Sequence, residues 1–270
     1  MEKSVISKKL AIGFVLFNPS DLFFKRLTCF NDIDIEIYVF DNSPKSFLKE
    51  QSDISKNVKI ISSKGNLGLG KGLNSLGKYA YSQGKEALLY FDQDTVFDKN
   101  SIAYINEYFI DNRIKFDKLA SIFFTNKNKK TRNQTRYVIM PHHSGMLFNL
   151  KNLKLVGWHN KNIFLDVLDY DYCLEVRRKK LKILEVNNIP GIDHQSHQDA
   201  DLIPLFNKTF NLSRIYSRKR VFDTLLKTIL LSARSLLYMD FIYFAYLLRF
   251  FMVYSFFQLY ARFYSIFRQS

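Results

Sequence analysis

The chain of 270 residues and 31.9 kDa has room for one sizeable core plus an appendage; 47% hydrophobic and 16% aromatic content excludes a disordered or fibrous chain. Two cysteines, Cys29 and Cys173, exclude a disulfide framework and suit a reducing compartment. A formal net charge of +15 calls for an anionic neighbour: nucleic acid, an acidic membrane surface or a phosphorylated substrate.

Residues 1–10, MEKSVISKKL, are too polar for a signal peptide's apolar region, so the chain is expected in the cytoplasm. KLAIGFVLF then forms an apolar run closed by the breaker pair Asn18-Pro19, and SDLFFKRLTCF reads as a helix capped by Ser20 or Asp21. IEIYVFDNSP and NVKIISSKGN are a second and third strand. LNSLGKYAYSQGK has the spaced apolar residues of a helix, and EALLYFDQDT is a fourth strand. This alternation predicts a mostly parallel α/β sheet with flanking helices, whose ligands gather beyond the carboxyl ends of the strands. The charged, Asn-rich stretch from Asp98 to Arg136 is expected to be a helix and loop over the sheet. HHSGMLFNL, Trp158 and FLDVLDYDYCLEVRRKKLKILEV form a second, less regular block.

A compositional shift after HQSHQD places a boundary near residue 205, giving a catalytic domain over 1–205 and a helical tail over 206–270. From residue 211 onward nine Lys and Arg face only Asp223 and Asp240, a charge of +7 on a segment dominated by Phe, Tyr and Leu. A nucleic-acid arm would be basic without that apolar load, so nucleic acid is excluded in favour of an anionic membrane surface. The longest uncharged run, Phe250 to Ala261, is 12 residues, short of the ~20 that a spanning helix needs. On a continuous helix Arg234, Arg249, Ser255 and Arg262 fall in one sector, as in helices lying in the interface. A homodimer through these helices is the alternative use of the same surface.

Polar clusters close each strand: Asn18, Asp41-Asn42-Ser43, Asn66 and Asp92-Gln93-Asp94. Two carboxylates at i and i+2 after a buried strand suit a shared hard divalent cation, Mn²⁺ or Mg²⁺, and equally a solvated turn. Glycines at every second position from Gly68 let a backbone approach a ligand closely. Asp166 and Asp169, three apart, fall on one face of a helical turn, where they cap a helix or supply a general base.

Taken together these residues resemble the family 2 glycosyltransferases of GT-A fold, and within it the rhamnosyltransferase-like branch, over roughly residues 9–200. The matching motifs are Phe17-Asn18-Pro19, Asp41-Asn42, the loop Asn66, Gly68 and Asn74, Asp92-Gln93-Asp94-Thr95, Ser144-Gly145 and the acidic block FLDVLDYDYCLEVRRKK. Glu175 stands where the family has Arg, and Lys180 where it has Gly.

The resemblance implies an inverting, metal-dependent transfer of a sugar from a nucleotide-diphosphate donor, best matched by dTDP-rhamnose, to a lipid-linked or polysaccharide acceptor of a bacterial surface glycan. Phe17, Asn18, Asp41, Asn66, Gly68, Asn74, Asp92 and Gln93 would bind the nucleotide-sugar, and Asp92, Asp94 and His194 the metal. Asp169 would be the catalytic base, with Ser144, Gly145, Trp158, Asp166 and Asp171 on the acceptor side. The expected location is the inner face of the cell membrane. A UDP-hexose transferase, or an inactive nucleotide-sugar-binding scaffold of the same fold, are the alternatives.

Overall fold

The computed structural model describes residues 8–30, 33–44, 57–62, 65–126, 135–189, 192–194, 204–205, 208–209 and 214–269. They divide into two compact units, Met1–Gln195 and Ser196–Ser270.

In the first unit, β1 (Leu10–Leu16), α1 (Asp21–Leu27), β2 (Glu36–Asp41), β3 (Val58–Ser62), α2 (Leu69–Ser82) and β4 (Ala87–Asp92) follow the alternation written in the sequence. After them come β5 (Thr95–Val96), α3 (Lys99–Asp111), α4 (Arg113–Phe116), β6 (Leu119–Thr125), β7 (Thr135–Val138), β8 (Met146–Asn149), α5 (Leu150–Leu155), α6 (Leu168–Arg178), β9 (Lys182–Asn187) and β10 (Asp193–His194). Eight strands make one sheet in the order β3-β2-β1-β4-β8-β6-β9-β7. β8 runs antiparallel to both its neighbours and β7 antiparallel to β9, while the other pairings are parallel.

Two expectations are corrected here. Asp98–Arg136 is not only helix and loop, because LASIFFT forms β6, buried along its whole length. The less regular block beginning at HHSG contributes a regular strand, because MLFN enters the middle of the sheet as β8. The side of the sheet that carries Phe14 and Phe91 packs an aromatic cluster with Phe23, Phe30 and Phe97, ring centroids 4.9–6.3 Å apart. Each such buried ring stabilises the fold by about 1.5–3 kcal/mol.

Polar ties mark the end of the sheet away from the strand carboxyl termini. Glu36 accepts from Lys59, Lys85 and Tyr38 Oη, each at 2.8 Å. Partial burial alone would raise its carboxyl, but these donors bring it down to about 2. Lys180 takes φ 57° just past the end of α6, where Lys180 N–H donates to Arg177 O and Leu181 N–H to Val176 O. The left-handed conformation that a glycine adopts most readily is therefore kept without one. Glu175, the other departure from the family pattern, pairs with Arg178 at 2.6 Å.

The second unit contains β11 (Pro204–Leu205), β12 (Lys208–Thr209), α7 (Arg218–Leu237) and α8 (Phe241–Gln269). The tail is not one continuous helix. Met239 takes φ 57°, and Asp240 accepts from Tyr243 N–H to start α8 afresh. Gln258 Nε2 donates to Arg214 O and Arg262 Nη2 to Tyr216 O, which sets the start of α7 beside the last turns of α8 in an antiparallel pair. Thr224, Thr228, Leu231 and Ser235 are buried on α7, as are Tyr243, Leu247, Tyr254 and Ala261 on α8. Opposite those faces, Phe222, Ile229 and Leu237 stand exposed on α7, as do Leu248, Met252, Phe256, Leu259 and Phe263 on α8.

Candidate active site

Parallel strands finish together at one rim, where the register sets Leu16 beside Asp41 and Val15 beside Asp92. The polar residues that follow are bonded into one framework. Gln93 clamps the main chain of Phe17, accepting from its N–H at 2.9 Å and donating to its carbonyl at 3.1 Å. Asn18, at φ 45°, donates its N–H to Ser43 Oγ, and Asp41, almost fully buried, accepts from Ser43 N–H. Asn42 donates to Gly68 O and accepts from Leu67 N–H, while Asn66 accepts from Gly68 N–H. Phe17, Asn18, Asp41, Asn66, Gly68 and Gln93 are thus brought to one rim.

Asn74 is placed differently. It lies buried within α2 and donates Nδ2 to His159 O at 2.6 Å. The glycine run is also not a loop opened for a ligand, since Gly70 and Gly72 lie inside α2. A Cβ on Gly68 would stand 2.5 Å from Phe164 O, one on Gly70 would strike the carbonyl oxygens of Ile163 and Asn160, and one on Gly72 would meet Val15 Cγ2 at 2.7 Å. The close approach that these glycines permit is to the chain itself.

The Asp92-Gln93-Asp94-Thr95 turn is held from three sides. Tyr90 Oη donates to Asp92 Oδ1 at 2.7 Å, and burial, then the charge of Asp92, push the Tyr90 hydroxyl up so that it remains a donor. Ser144 Oγ accepts from Asp92 N–H at 3.1 Å and lies 2.5 Å from Thr95 Oγ1. Arg26 Nη1 donates to the carbonyls of Gln93 and Thr95. Because β8 runs against β4, its first residues arrive where β4 ends, which is why Ser144 and Gly145 meet the turn. Gly145, at φ 81°, lies so close to β6 that a Cβ would stand 2.5 Å from Phe124 O. Ser144 and Gly145 are buried, so both act on the turn from behind.

β10 pairs with β5 so that His194 stands opposite Thr95, next to Asp94 in the chain. The His194 side chain lies outside the described atoms, and among the described residues no three His, Cys, Asp or Glu side chains gather as metal ligands. The donor set is nonetheless that of a hard divalent cation: Asp92 and Asp94, both half-buried at a strand end, could hold one whose remaining ligands come from substrate and water.

Asp169 sits in the first turn of α6, one-third exposed, with Oδ1 2.8 Å from Nδ1 of buried His143. Burial alone would raise its carboxyl, but His143, with His142 behind it, holds it below the usual carboxylate range. Asp166 does not share its helical face, because α6 starts at Leu168 and Val167 before it takes φ 62°, a strained value for a β-branched residue. Asp171 is buried on α6, and Trp158 packs against Tyr81 and Gly77 toward the far end of α2. The residues that sequence reasoning missed are His143, Ser43, Tyr90 and Arg26. Only Ser43 carried a signal, its place in the Asp41-Asn42-Ser43 cluster.

Fold and rim together are those of a mostly parallel α/β sheet whose strand ends gather polar side chains at one edge. A crystal structure of S. aureus TarS 1-349 is similar with a TM-score of 0.51 and 16% identity, over 68% of this chain and 59% of that one. A crystal structure of GalNAc-T7 with UDP, GalNAc and Mn²⁺ is similar with a TM-score of 0.53 and 12% identity, over 75% of this chain and 46% of that one. The chain therefore spans less than two thirds of the length of either, and at these identities the likeness establishes the GT-A fold. No curated protein matches. The family model described as glycosyl transferase family 2 matches residues 25–170, just over half of the chain. The chain belongs to glycosyl transferase family 2.

Proposed function

We propose that this glycosyltransferase is inverting and metal-dependent, moving a sugar from a nucleotide diphosphate to a hydroxyl of a bacterial surface glycan. The observation that carries the reading is one dipeptide: His143 holds Asp169 while Ser144 holds the Asp92–Thr95 turn. The two sets of carboxylates that the chemistry needs are thereby fixed against each other.

Asp169 accepts the proton of the acceptor hydroxyl. The oxygen attacks the anomeric carbon from the face opposite the diphosphate, and the diphosphate leaves with the bonding electron pair. A new glycosidic C–O bond replaces the old one, with inversion and with no covalent sugar intermediate. Asp92 and Asp94, with His194, would hold Mn²⁺ or Mg²⁺, which when bound would supply positive charge to the leaving diphosphate. Gln93 and Asn42 keep Phe17 and the Asn66–Gly68 turn in place around the nucleotide, with Asp41 at the base.

The best match for the donor is dTDP-rhamnose, on the family resemblance of the Asp-Gln-Asp-Thr turn. UDP-hexose is the second reading, favoured by the UDP and Mn²⁺ in the GalNAc-T7 structure. A thermal-shift screen of dTDP- and UDP-sugars with and without Mn²⁺ tests both the donor and the metal. Stabilisation by none of them, with or without metal, would defeat the reading.

Residues 1–205 would be the catalytic domain and 206–270 a tail that docks on the inner face of the cell membrane, where a lipid-linked acceptor is found. α8 is long and apolar enough to cross a membrane over Phe241–Ile266, with mean hydropathy 1.4. Arg249 in its middle, and the basic first turn of α7 (Arg218, Lys219, Arg220), favour association in the interface.

A further inference from the structure

Resting on the reading of Asp169 as the base, we infer that His143 is a positioning residue of the reaction, a buried imidazole that fixes the orientation of the Asp169 carboxylate toward the acceptor. Nothing in the sequence marks this histidine. It precedes a short strand, and its neighbour His142 offers a rival of the same chemistry.

Three observations carry the assignment. His143 is 2% exposed, so its imidazole is out of water, and the carboxylate it meets there is that of Asp169. Its Nδ1 is 2.8 Å from Asp169 Oδ1, and the Asp169 side chain stays one-third exposed, so one oxygen is tethered inside while the group still reaches solvent. The rest of the ring is boxed by aromatic edges: Phe148 of β8 at 5.4 Å, His159 at 4.9 Å and Tyr172 of α6 at 5.4 Å between ring centroids. Packed on both sides, the imidazole has one orientation, and the carboxylate inherits it.

The groups that face His143 are few. Asp169 and Tyr172 approach from α6, His159 from the segment between α5 and α6, and His142 from its own segment. His159 is held neutral by burial and then by His143, and the Tyr172 hydroxyl is pushed up by burial. The arrangement inverts the usual hydrolase order, in which a carboxylate orients a histidine that does the proton transfer. Here the histidine is buried and the carboxylate is the group that meets substrate.

The position also matters. His143 and Ser144 are consecutive, one gripping the base and the other the metal turn. Displacing the imidazole therefore alters acceptor activation while Ser144 keeps its own bonds to the turn.

The test compares wild type, His143→Ala, His143→Asn, Asp169→Asn and the double variant His143→Ala/Asp169→Asn. Turnover is read as nucleoside diphosphate released with Mn²⁺ from whichever of dTDP-rhamnose and UDP-glucose is processed faster, from acid to neutral pH. Thermal melting with dTDP or UDP and Mn²⁺ confirms that each variant folds and binds nucleotide. His143→Ala should lower kcat at least ~10-fold with little change in donor KM, and should move the acid limb of the profile to higher pH, as the carboxyl loses its partner. His143→Asn, which keeps a donor but no charge, should recover part of the neutral-pH rate without restoring the acid limb. On the Asp169→Asn background, His143→Ala should add no further loss. A His143→Ala rate and pH profile equal to wild type, or a loss of equal size on the Asp169→Asn background, overturns the assignment. Wild-type turnover in Asp169→Asn would instead show that the base itself was misread.

Discussion

The rim of the first unit and the outer faces of the α7–α8 pair treat exposed chemistry in opposite ways. At the rim, side chains are tied to main chain and to each other: Gln93 to Phe17, Asn42 to Gly68, Ser144 to Asp92 and Thr95, His143 to Asp169. On the helix pair, large apolar side chains stand in solvent with no hydrogen-bonding group to orient them, Leu237 at 79% and Phe222 at 70% exposure among them. A patch of that kind is uncommon on a monomeric soluble protein and marks a surface that something else covers. Rigid geometry serves bond-making, which fails when reacting atoms are misplaced. Unspecific apolar area serves adhesion, which only needs to be wet or dry. Geometry and grease are kept in different units of the chain.

That division can be broken by experiment. The largest effect is expected from Asp169→Asn, which should cut turnover by ~10²-fold or more while leaving co-flotation with anionic liposomes unchanged. Next, Phe256→Ser together with Phe263→Ser should weaken liposome binding about 10-fold or more, from the lost apolar burial, without altering the melting shift caused by nucleotide and Mn²⁺. If either variant changed both readouts, the two units would not be functionally separate.

Smaller effects test the scaffold of the first unit. Gly70→Ala should destabilise the protein by about 1–3 kcal/mol in urea unfolding, because its Cβ would strike main-chain oxygens rather than open space. Glu36→Gln should lower the melting temperature at neutral pH, by an amount set by an exposed ion cluster of about 1 kcal/mol or less. The folded-state pKa of Glu36 is depressed, so its contribution is present above the ordinary glutamate range and fades as pH falls toward about 2. Wild type and variant should therefore converge in acid. The smallest change is a gain: Lys180→Gly should stabilise by up to about 1 kcal/mol, since φ 57° suits glycine better.

The fold was legible wherever an apolar run met a polar stop. β1, β2 and β4 each end in such a stop, and those stops became the rim. β6 was hidden because LASIFFT lies between charged segments, and β8 because four residues leave no period to read. Its reversed direction has no signature in the sequence at all. Within the site, spacing misled where the backbone turned abruptly: Asp166 and Asp169 look like one helical face until Val167 adopts a left-handed conformation. The glycines were read as permitting close approach to a ligand, whereas Gly68, Gly70 and Gly72 make room for the chain itself, a distinction that spacing does not carry. His143 was invisible because a positioning role depends on a partner 26 positions away in the chain.

The reversed strand has an evolutionary corollary. Since β8 begins at the place where its neighbours end, two adjacent codons, for His143 and Ser144, would on the proposed reading steer both halves of the chemistry. On the proposed reading a substitution at either would disturb one half of the reaction, so selection for new sugars has little freedom there. Diversification is expected instead at the solvent-facing Phe17, Leu67 and Phe164, whose side chains can vary while the His143-Ser144 pair stays fixed.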